Sequence, residues 1–271
     1  MIPTYFIAIQ NICELIIIIN NELLKLSEWF KANKLSLNAN KTSFMMFGNK
    51  RIVNDQLIFT LDGCILARTP CTKFLGVYLD EKLKWTSHLS HVATKISRGL
   101  GVMGRVRKIL PQNVVSTLYF SLIYPYLIYC SIIWGGASAT ALHKLEVLQN
   151  RAVRIITLSP FRSSSSPLYK QLNLLKFCDI QKIQIVQFMF KCQHSLLPES
   201  CLYYCRINPQ QSYYMRQTHY FATQSFRTAI REQCISVQGP KVWDSFPVSL
   251  LSVTSLALLK RNVSGHIIAS Y

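Results

Sequence analysis

Four residues in the last third of the chain have the side-chain types of a zinc site: Cys192, His194, Cys201 and Cys205. Thiolate and imidazole ligands hold structural zinc, but the spacing C-x-H-x6-C-x3-C departs from the usual finger and knuckle patterns. His88 and His91 stand three apart and have no evident third ligand. We therefore predict no metal site, and we expect the two histidines to lie on the surface or beside phosphate.

Carboxylates, which metal-dependent and acid–base chemistry requires, are scarce. The chain of 271 residues has 12 Asp and Glu against 30 Lys and Arg, a formal charge of +18. Asp80–Glu81 is the only acidic doublet, and no two Asp residues are adjacent. No Gly-rich phosphate loop, nucleophile elbow or His-Glu-x-x-His string occurs either. We therefore predict no catalytic residue in this chain.

The positive charge predicts a polyanionic partner, for which nucleic acid and acidic membrane surfaces are the main candidates. Its distribution is informative, because no acid occurs between Glu81 and Glu146. The basic residues in that interval are Lys82, Lys84, Lys95, Arg98, Arg105, Arg107, Lys108 and Lys144. We interpret them as a cationic block.

Two amphipathic helices are predicted to carry this charge. At about 100° per residue, the segment from Ser87 to Val106 places Leu89, Val92, Ile96, Leu100 and Met103 on one side, with Lys95, Arg98 and Arg105 opposite. The segment from Ala141 to Ile156 places Leu142, Leu145, Leu148, Gln149, Ala152 and Ile156 on one side, with Lys144, Arg151 and Arg154 opposite. Each helix is therefore expected to bury one face and present a basic one.

Between these helices, residues 109–142 contain no charged residue, and 118–137 are about long enough to span a bilayer. A single-span membrane protein is one interpretation. Pro125, the neighbouring tyrosines and the Gly135-Gly136 pair favour a kinked helix in a protein core. We prefer the core interpretation and expect no membrane partner.

The first 84 residues predict a helix and a small antiparallel sheet. Residues 20–33 read as a helix capped by Asn20 or Asn21, and the preceding apolar run 15–19 as a buried segment. Residues 44–47 suit a buried strand, Asp62-Gly63 suits a two-residue hairpin turn, and 73–79 suit a last strand.

The last hundred residues are predicted to be partly helical. The run 163–166 before Pro167 marks a loop, and 180–190 look helical. Pro240 suits a first helical turn and Pro247 a stop. Nine scattered cysteines without a secretory leader indicate reduced thiols, so we expect an intracellular protein, nuclear, cytoplasmic or both.

Several strings together resemble one family. WFKANKLSLNANKTSFMMFG and KFLGVYLDEKLKWTSHL are similar to the late palm of LINE-type, jockey-like reverse transcriptases of non-LTR retrotransposons. LIYPYLIYCSIIWGG, LHKLEVLQNRAVRII and the later GPKVWDSFP resemble the regions that follow in that family. The resemblance runs from about residue 20 to residue 261 and is carried by the order and spacing of the strings.

The resemblance implies roles for two groups of residues. Asn38, Lys41 and Thr42 match a palm motif beside the nucleotide site, where Lys41 would act on the triphosphate; a solvated lysine in a turn is the alternative. Lys73, Phe74, Leu75 and Gly76 match the primer grip, a hairpin that holds the primer end. Gly permits close approach of a sugar-phosphate backbone, although an ordinary strand with a Gly bulge is the alternative.

The resemblance also implies what this chain lacks. The family holds two divalent metals on carboxylates that lie upstream of the matched strings, and Mg²⁺ would be the cofactor of the complete enzyme. For this chain alone we expect no cofactor and no polymerase activity. We expect it to be a fragment that binds the backbone of RNA and DNA, with the missing N-terminal half as a possible partner; a non-functional product of a degenerate element is the alternative.

The predicted fold class is α+β: a truncated palm followed by a mostly helical thumb and a C-terminal extension. Residues 1–84 are the expected partial palm, 85–162 the thumb-like region and 163–271 the extension. The residues expected to contact nucleic-acid backbone are Lys95, Arg98, Arg105, Arg107, Lys108, Lys144, Arg151 and Arg154.

Overall fold

Residues 1–83 and 84–271 form two compact units, each with its own contacts. The computed structural model describes residues 6–8, 11–36, 38, 41–48, 58–202, 204–206 and 220–271. Mainly helical with a few short strands, the chain agrees with the α+β class. The division into palm, thumb and extension stays a prediction.

The first unit is built on one long helix, α1 (Ile12–Ala32). The side chain of Asn11 accepts a hydrogen bond from the Cys13 backbone N–H and caps the helix, so the predicted cap at Asn20 or Asn21 is wrong. The predicted buried segment 15–19 is also corrected, because it forms part of α1 and Ile17 is 62% exposed. A helical face of this segment, and not the whole run, meets the core.

Asn20 instead anchors the first hairpin. Its side chain accepts from the Thr60 N–H at 3.1 Å and donates to the Ile58 carbonyl at 3.2 Å. That hairpin consists of β2 (Thr60–Leu61) and β3 (Cys64–Ile65), after a short strand β1 (Ser43–Phe44). The predicted Asp62-Gly63 turn is confirmed, since both residues have positive φ.

The predicted single antiparallel sheet is wrong, because the strands among the described residues form three separate two-stranded sheets. Strand β1 pairs in parallel with β4 (Ala67–Arg68), and only Phe44 of the predicted strand 44–47 joins a ladder. Phe44 packs edge-on against Phe59, with ring centroids 4.6 Å apart. Phe47 is exposed, so residues 44–47 are not the buried strand that their apolar sequence suggested.

The predicted strand over residues 73–79 is a hairpin. Strands β5 (Cys71–Phe74) and β6 (Val77–Asp80) pair in antiparallel register around Leu75-Gly76. Both turn residues have positive φ, 45° and 85°, as a tight two-residue hairpin turn requires. The sequence predicts one continuous strand because leucine, at Leu75, rarely adopts positive φ and so does not signal a turn.

The second unit is mainly helical in the part that the structure describes. Its helices are α2 (Thr86–Val106), α3 (Gln112–Leu122), α4 (Tyr124–Ile128), α5 (Ser131–Trp134), α6 (Ala139–Ile156), α7 (Ser166–Gln171), α8 (Phe177–Gln193), α9 (Glu199–Leu202), α10 (Ala229–Glu232), α11 (Ile235–Asp244), α12 (Val248–Leu251) and α13 (Leu256–Ala269). Helices α2 and α6 pack against each other, and α8 packs against α11 and α13. The predicted helix over 180–190 is confirmed and is longer at both ends.

The uncharged segment 109–142 is broken into α3, α4 and α5, more thoroughly than a single kink. Pro125 lies in the first turn of α4, and Cys130 adopts positive φ immediately before α5. Trp134 is fully buried, with its ring stacked on Phe177 of α8 at 5.9 Å. Within the described residues, no helix has the length and apolar character needed to cross a membrane.

The last helices pack around α8. Helix α11 brings Trp243 against Phe221, with centroids 5.5 Å apart, and α13 buries Leu259 and Val263 in the same cluster. Pro240 is inside α11, so its predicted place in a first helical turn is wrong; the helix begins five residues earlier, at Ile235. The predicted stop at Pro247 is confirmed, since α11 ends at Asp244.

Candidate nucleic-acid interface

Helix α2 has the predicted division into a buried and a basic face. Leu89, Val92, Ile96, Leu100 and Met103 are all buried. Arg98 and Arg105, seven residues apart, are exposed on the opposite side, while Lys95 is half-buried at the border. The helical spacing that buries the apolar stripe therefore directs the two arginines away from the core.

Helix α6 repeats this arrangement. Gln149 is buried and donates to the Tyr119 hydroxyl and the Leu175 carbonyl, each at 2.9 Å. Lys144 and Arg151 are exposed on the outer side, seven residues apart. Leu142 and Leu148, predicted on the buried side, are half-buried. Burial of the opposite face thus gives α6 an outward basic pair.

Arg154 has a structural contact that distinguishes it from the other basic residues of α6. Its Nε donates to the Ser163 carbonyl at 2.9 Å, and the side chain is half-buried. This bond holds the loop after α6 against the helix. Arg154 is therefore partly engaged within the protein, which the sequence did not indicate.

Arg107 and Lys108 lie in the turn between α2 and α3. Lys108 is exposed and Arg107 is half-buried at the end of α2. Within the described parts of the chain, no carboxylate forms an ion pair with Arg98, Arg105, Lys144 or Arg151. These cations are therefore available to an external anion.

The small residues on the same side of α2 as its two arginines were missed as part of this surface. Ser87, Ser90, Thr94, Ser97 and Gly101 are exposed. At about 100° per residue they fall on the same side as Arg98 and Arg105, which is the signal that the sequence carried. Small side chains beside two arginines leave room for a bulky anion to approach the helix.

In the first unit, the β5–β6 hairpin displays the residues matched to the primer grip. Lys73 is exposed, with Nζ 5.7 Å from the centre of the Tyr78 ring across the ladder. Leu75 is 75% exposed at the tip beside Gly76, and Phe74 is half-buried. The hairpin thus places a cation and an exposed apolar tip together, and Gly76 belongs to a turn and not to a bulge.

Lys41 is exposed in a short turn. Its backbone N–H donates to the Asn38 carbonyl at 3.0 Å, and the Thr42 hydroxyl donates to the same carbonyl at 3.1 Å. The three residues matched to the nucleotide motif therefore form one local turn that leaves the lysine side chain in solvent.

The acidic doublet at residues 80 and 81 has local structural contacts. Glu81 accepts two hydrogen bonds from Arg68, at 2.8 and 3.1 Å, and this carboxylate raises the pKa of Arg68. Asp80 accepts from the Lys82 backbone N–H at 3.1 Å. Both acids thus brace the strand end.

His88 was expected on the surface, and the structure corrects this. It is 3% exposed, and its ring lies 5.4 Å from that of Trp134. Burial, and to a lesser degree the charge of His91, lowers the pKa of His88. Position 88 adjoins the buried stripe of α2, which explains the burial.

The cysteines and histidine considered for zinc do not form a site. Among the described residues, no three His, Cys, Asp or Glu side chains are placed to hold a metal ion. Cys192 and Cys205 are buried in the core around α8, where Cys205 Sγ lies 3.7 Å from Met189 Sδ. The His194 ring packs on Phe190 at 4.1 Å.

Comparison with known proteins gives the class: the chain is related to RNA-directed DNA polymerases of transposons and mobile elements. This confirms the resemblance to jockey-like, non-LTR retrotransposon enzymes. No protein-family model matches the chain, and no solved structure matches it.

Two relatives illustrate the match. The chain is 30% identical over 158 residues to the probable RNA-directed DNA polymerase from transposon BS of Drosophila melanogaster, and 28% identical over 156 residues to the RNA-directed DNA polymerase from mobile element jockey of Drosophila funebris. Each match covers 56% of this chain and 17% of the relative. The matched stretch is therefore less than a fifth of either relative.

Proposed function

We propose that this chain binds the sugar-phosphate backbone of an RNA–DNA or RNA duplex through the outward faces of α2 and α6, as the thumb region of a retrotransposon reverse transcriptase. The observation that carries the proposal is the pair of basic faces on two mutually packed helices, with exposed cations that no carboxylate pairs within the described residues. The names of the relatives support nucleic acid as the polyanion.

The α2 surface suits a phosphate backbone. Arg98 and Arg105 lie about two helical turns, roughly 10 Å, apart along the axis. Small residues beside them on the same side of the helix, such as Ser97 and Gly101, permit the close approach that direct arginine–phosphate hydrogen bonds need. Contacts of this kind position a duplex without reading its sequence, so we expect little sequence preference.

The first unit fits a partial palm in the same proposal. The β5–β6 hairpin, with Lys73 beside the tip, would hold a primer end, and Lys41 would lie near an incoming nucleotide. Helix α1 exposes Ile17 and Leu24, seven residues apart on one side. Further palm elements of a complete enzyme would cover that apolar side.

No polymerase activity is proposed for this chain by itself. Nucleotidyl transfer with two metal ions needs convergent carboxylates, and the doublet at Asp80 and Glu81 is held by local contacts. In a complete enzyme Mg²⁺ would be held by acids that the matched strings do not contain. The proposed role of this chain is to hold the nucleic acid on which such a site acts.

The test compares two variants with the same loss of charge. Arg98→Gln/Arg105→Gln removes the cations of the proposed face, and Lys170→Gln/Arg227→Gln removes two exposed cations elsewhere in the second unit. Binding of a fluorescent RNA–DNA hybrid is measured by anisotropy across a salt series. The first variant should weaken binding and flatten the salt slope by about 2, since each phosphate contact contributes about 0.9.

The control variant should retain both the affinity and the slope of the parent chain. Equal losses in the two variants would mean that binding follows total charge and not the α2 face. No binding of the parent chain to any duplex at low salt would end the proposal.

A further inference from the structure

An open groove lies within the second unit, apart from the basic faces of α2 and α6. It has a volume of about 720 Å³. Helix α3 and α4 contribute one side, residues 173–175 the floor and α13 the other side. The residues on which its chemistry depends are Tyr119, Phe120, Tyr124, Arg261, Gly265 and Ile268.

One side of the groove is aromatic. The Phe120 side chain is 48% exposed, and its ring meets that of Tyr124 edge to face at 5.4 Å. Tyr119, next to it, is buried and held by Gln149, which donates to its hydroxyl at 2.9 Å. The exposed Phe120 ring therefore packs against the rings of Tyr119 and Tyr124.

The facing side of the groove is formed by one face of α13, which includes a glycine. Arg261, Gly265 and Ile268 follow one another at helical spacing along the groove. A Cβ atom added at Gly265 would meet nothing within 4 Å, so the groove is open beside this residue. Arg261 supplies a cation at one end, and none of the described lining residues is a carboxylate.

A flat π-system with an attached anion fits both sides. The base of an unpaired nucleotide stacks on an exposed aromatic ring, and its phosphate pairs with a nearby arginine. Asn262 and His266 add hydrogen-bonding groups to the lining, as sites for nucleobases commonly have. The chain's charge of +18 favours a polyanionic strand over a neutral aromatic molecule.

We infer that this groove binds unpaired nucleotides of single-stranded RNA or DNA, with a base stacked on Phe120 and a phosphate at Arg261. A duplex has no free base to offer, so this site is separate from the proposed backbone contacts. The preference should be for any exposed base, because stacking on a ring is tolerant of sequence.

The ligand test uses the full chain and two fluorescent 12-mers with equal numbers of phosphates. One is oligo(U) RNA, and the other has abasic sugars throughout. Oligo(U) should bind about tenfold more tightly, since only it can stack. Equal affinity for the two strands would overturn the inference, because binding would then depend on the phosphates alone and base stacking in the groove would contribute nothing.

The protein test uses Phe120→Ala with Phe161→Ala as its control, since Phe161 is 80% exposed and does not line the groove. Gly265→Leu fills the groove from α13 without removing an aromatic ring, so it covers the case in which Phe120→Ala fails to fold. Phe120→Ala and Gly265→Leu should each bind oligo(U) about tenfold more weakly than the parent chain. Phe161→Ala should bind it with unchanged affinity.

The duplex probe separates this inference from the proposed function. Phe120→Ala should leave hybrid binding unchanged, whereas Arg98→Gln/Arg105→Gln should weaken it. If oligo(U) binding depended on the α2 arginines and was indifferent to Phe120 and Gly265, the groove inference would fail while backbone binding stood. An acidic Glu-Tyr peptide that displaced oligo(U) at equal concentration would assign the groove to a peptide and also overturn it.

Discussion

Adding one methyl group at Gly136 should destabilise the second unit, and adding the same group at Gly101 should not. A Cβ atom at Gly136 would lie 2.6 Å from Gln233 Cβ and 3.1 Å from the Gln233 carbonyl oxygen. Neither atom is at the flexible end of a side chain, so the backbone must shift. Such overpacking costs about 1–3 kcal/mol.

Gly101 provides the matched comparison. It lies within α2, and an added Cβ would meet nothing within 4 Å. Gly101→Ala should therefore stabilise the helix by about 0.5–1 kcal/mol. For a unit of this size, a loss of about 2 kcal/mol lowers the Tm by about 4–8 °C, and the gain at Gly101 raises it by about 1–4 °C.

Urea and thermal unfolding, followed by circular dichroism, measure both variants. Gly136→Ala/Gln233→Gly adds a double-mutant cycle, in which removal of the Gln233 Cβ should recover part of the loss. A Gly136→Ala protein as stable as the parent chain would refute the close approach between the turn after α5 and the end of α10. Equal losses at Gly101 and Gly136 would show a general intolerance of the added methyl.

Two further predictions concern buried polar groups of the second unit. Gln149→Leu should lower the free energy of unfolding in urea by about 1–3 kcal/mol, because the Leu175 carbonyl and the Tyr119 hydroxyl lose a buried donor. Gln149→Glu should not recover the lost stability, because a carboxylate does not replace the amide donor. The lowered pKa of His88, caused first by burial and then by His91, predicts stability that is complete above pH 6.5 and declines as the pH falls through the lowered pKa. His88→Gln should flatten that decline, and an unchanged pH profile would contradict the assignment.

Helical periodicity predicted the buried and exposed faces of α2 well. The buried stripe of α2 and the opposite positions of Arg98 and Arg105 follow from spacing alone, because a long amphipathic helix has one dominant apolar face. The burial of His88 was missed, because His88 lies at the edge of that face and its burial depends on its neighbour Trp134. That ring comes from α5, more than forty residues away.

The turns and the strand pairing of the first unit were harder to predict. The Asp62-Gly63 turn was found because both residue types tolerate positive φ. The Leu75-Gly76 turn was missed because leucine rarely adopts positive φ, although the family resemblance did imply a hairpin there. The parallel pairing of β1 with β4 depends on a contact between distant segments, which strand-like sequence alone does not specify.

The groove at Phe120 could not have been predicted from sequence. Its two sides lie about 140 residues apart in the chain and meet only through the packing of the second unit. Phe120 and Tyr124 in the uncharged segment looked like core residues. Their partial exposure depends on how α3, α4 and α13 pack, which helical spacing within one segment does not specify.

The most direct test of the central claim is the salt dependence of RNA–DNA hybrid binding by the parent chain. We expect a slope of log K against log salt of about −3.6 if one phosphate is neutralised by each of four residues, Arg98, Arg105, Lys144 and Arg151. Sequence changes in the hybrid should leave the slope and affinity unchanged. A slope near zero, or binding absent at low salt, would contradict the account.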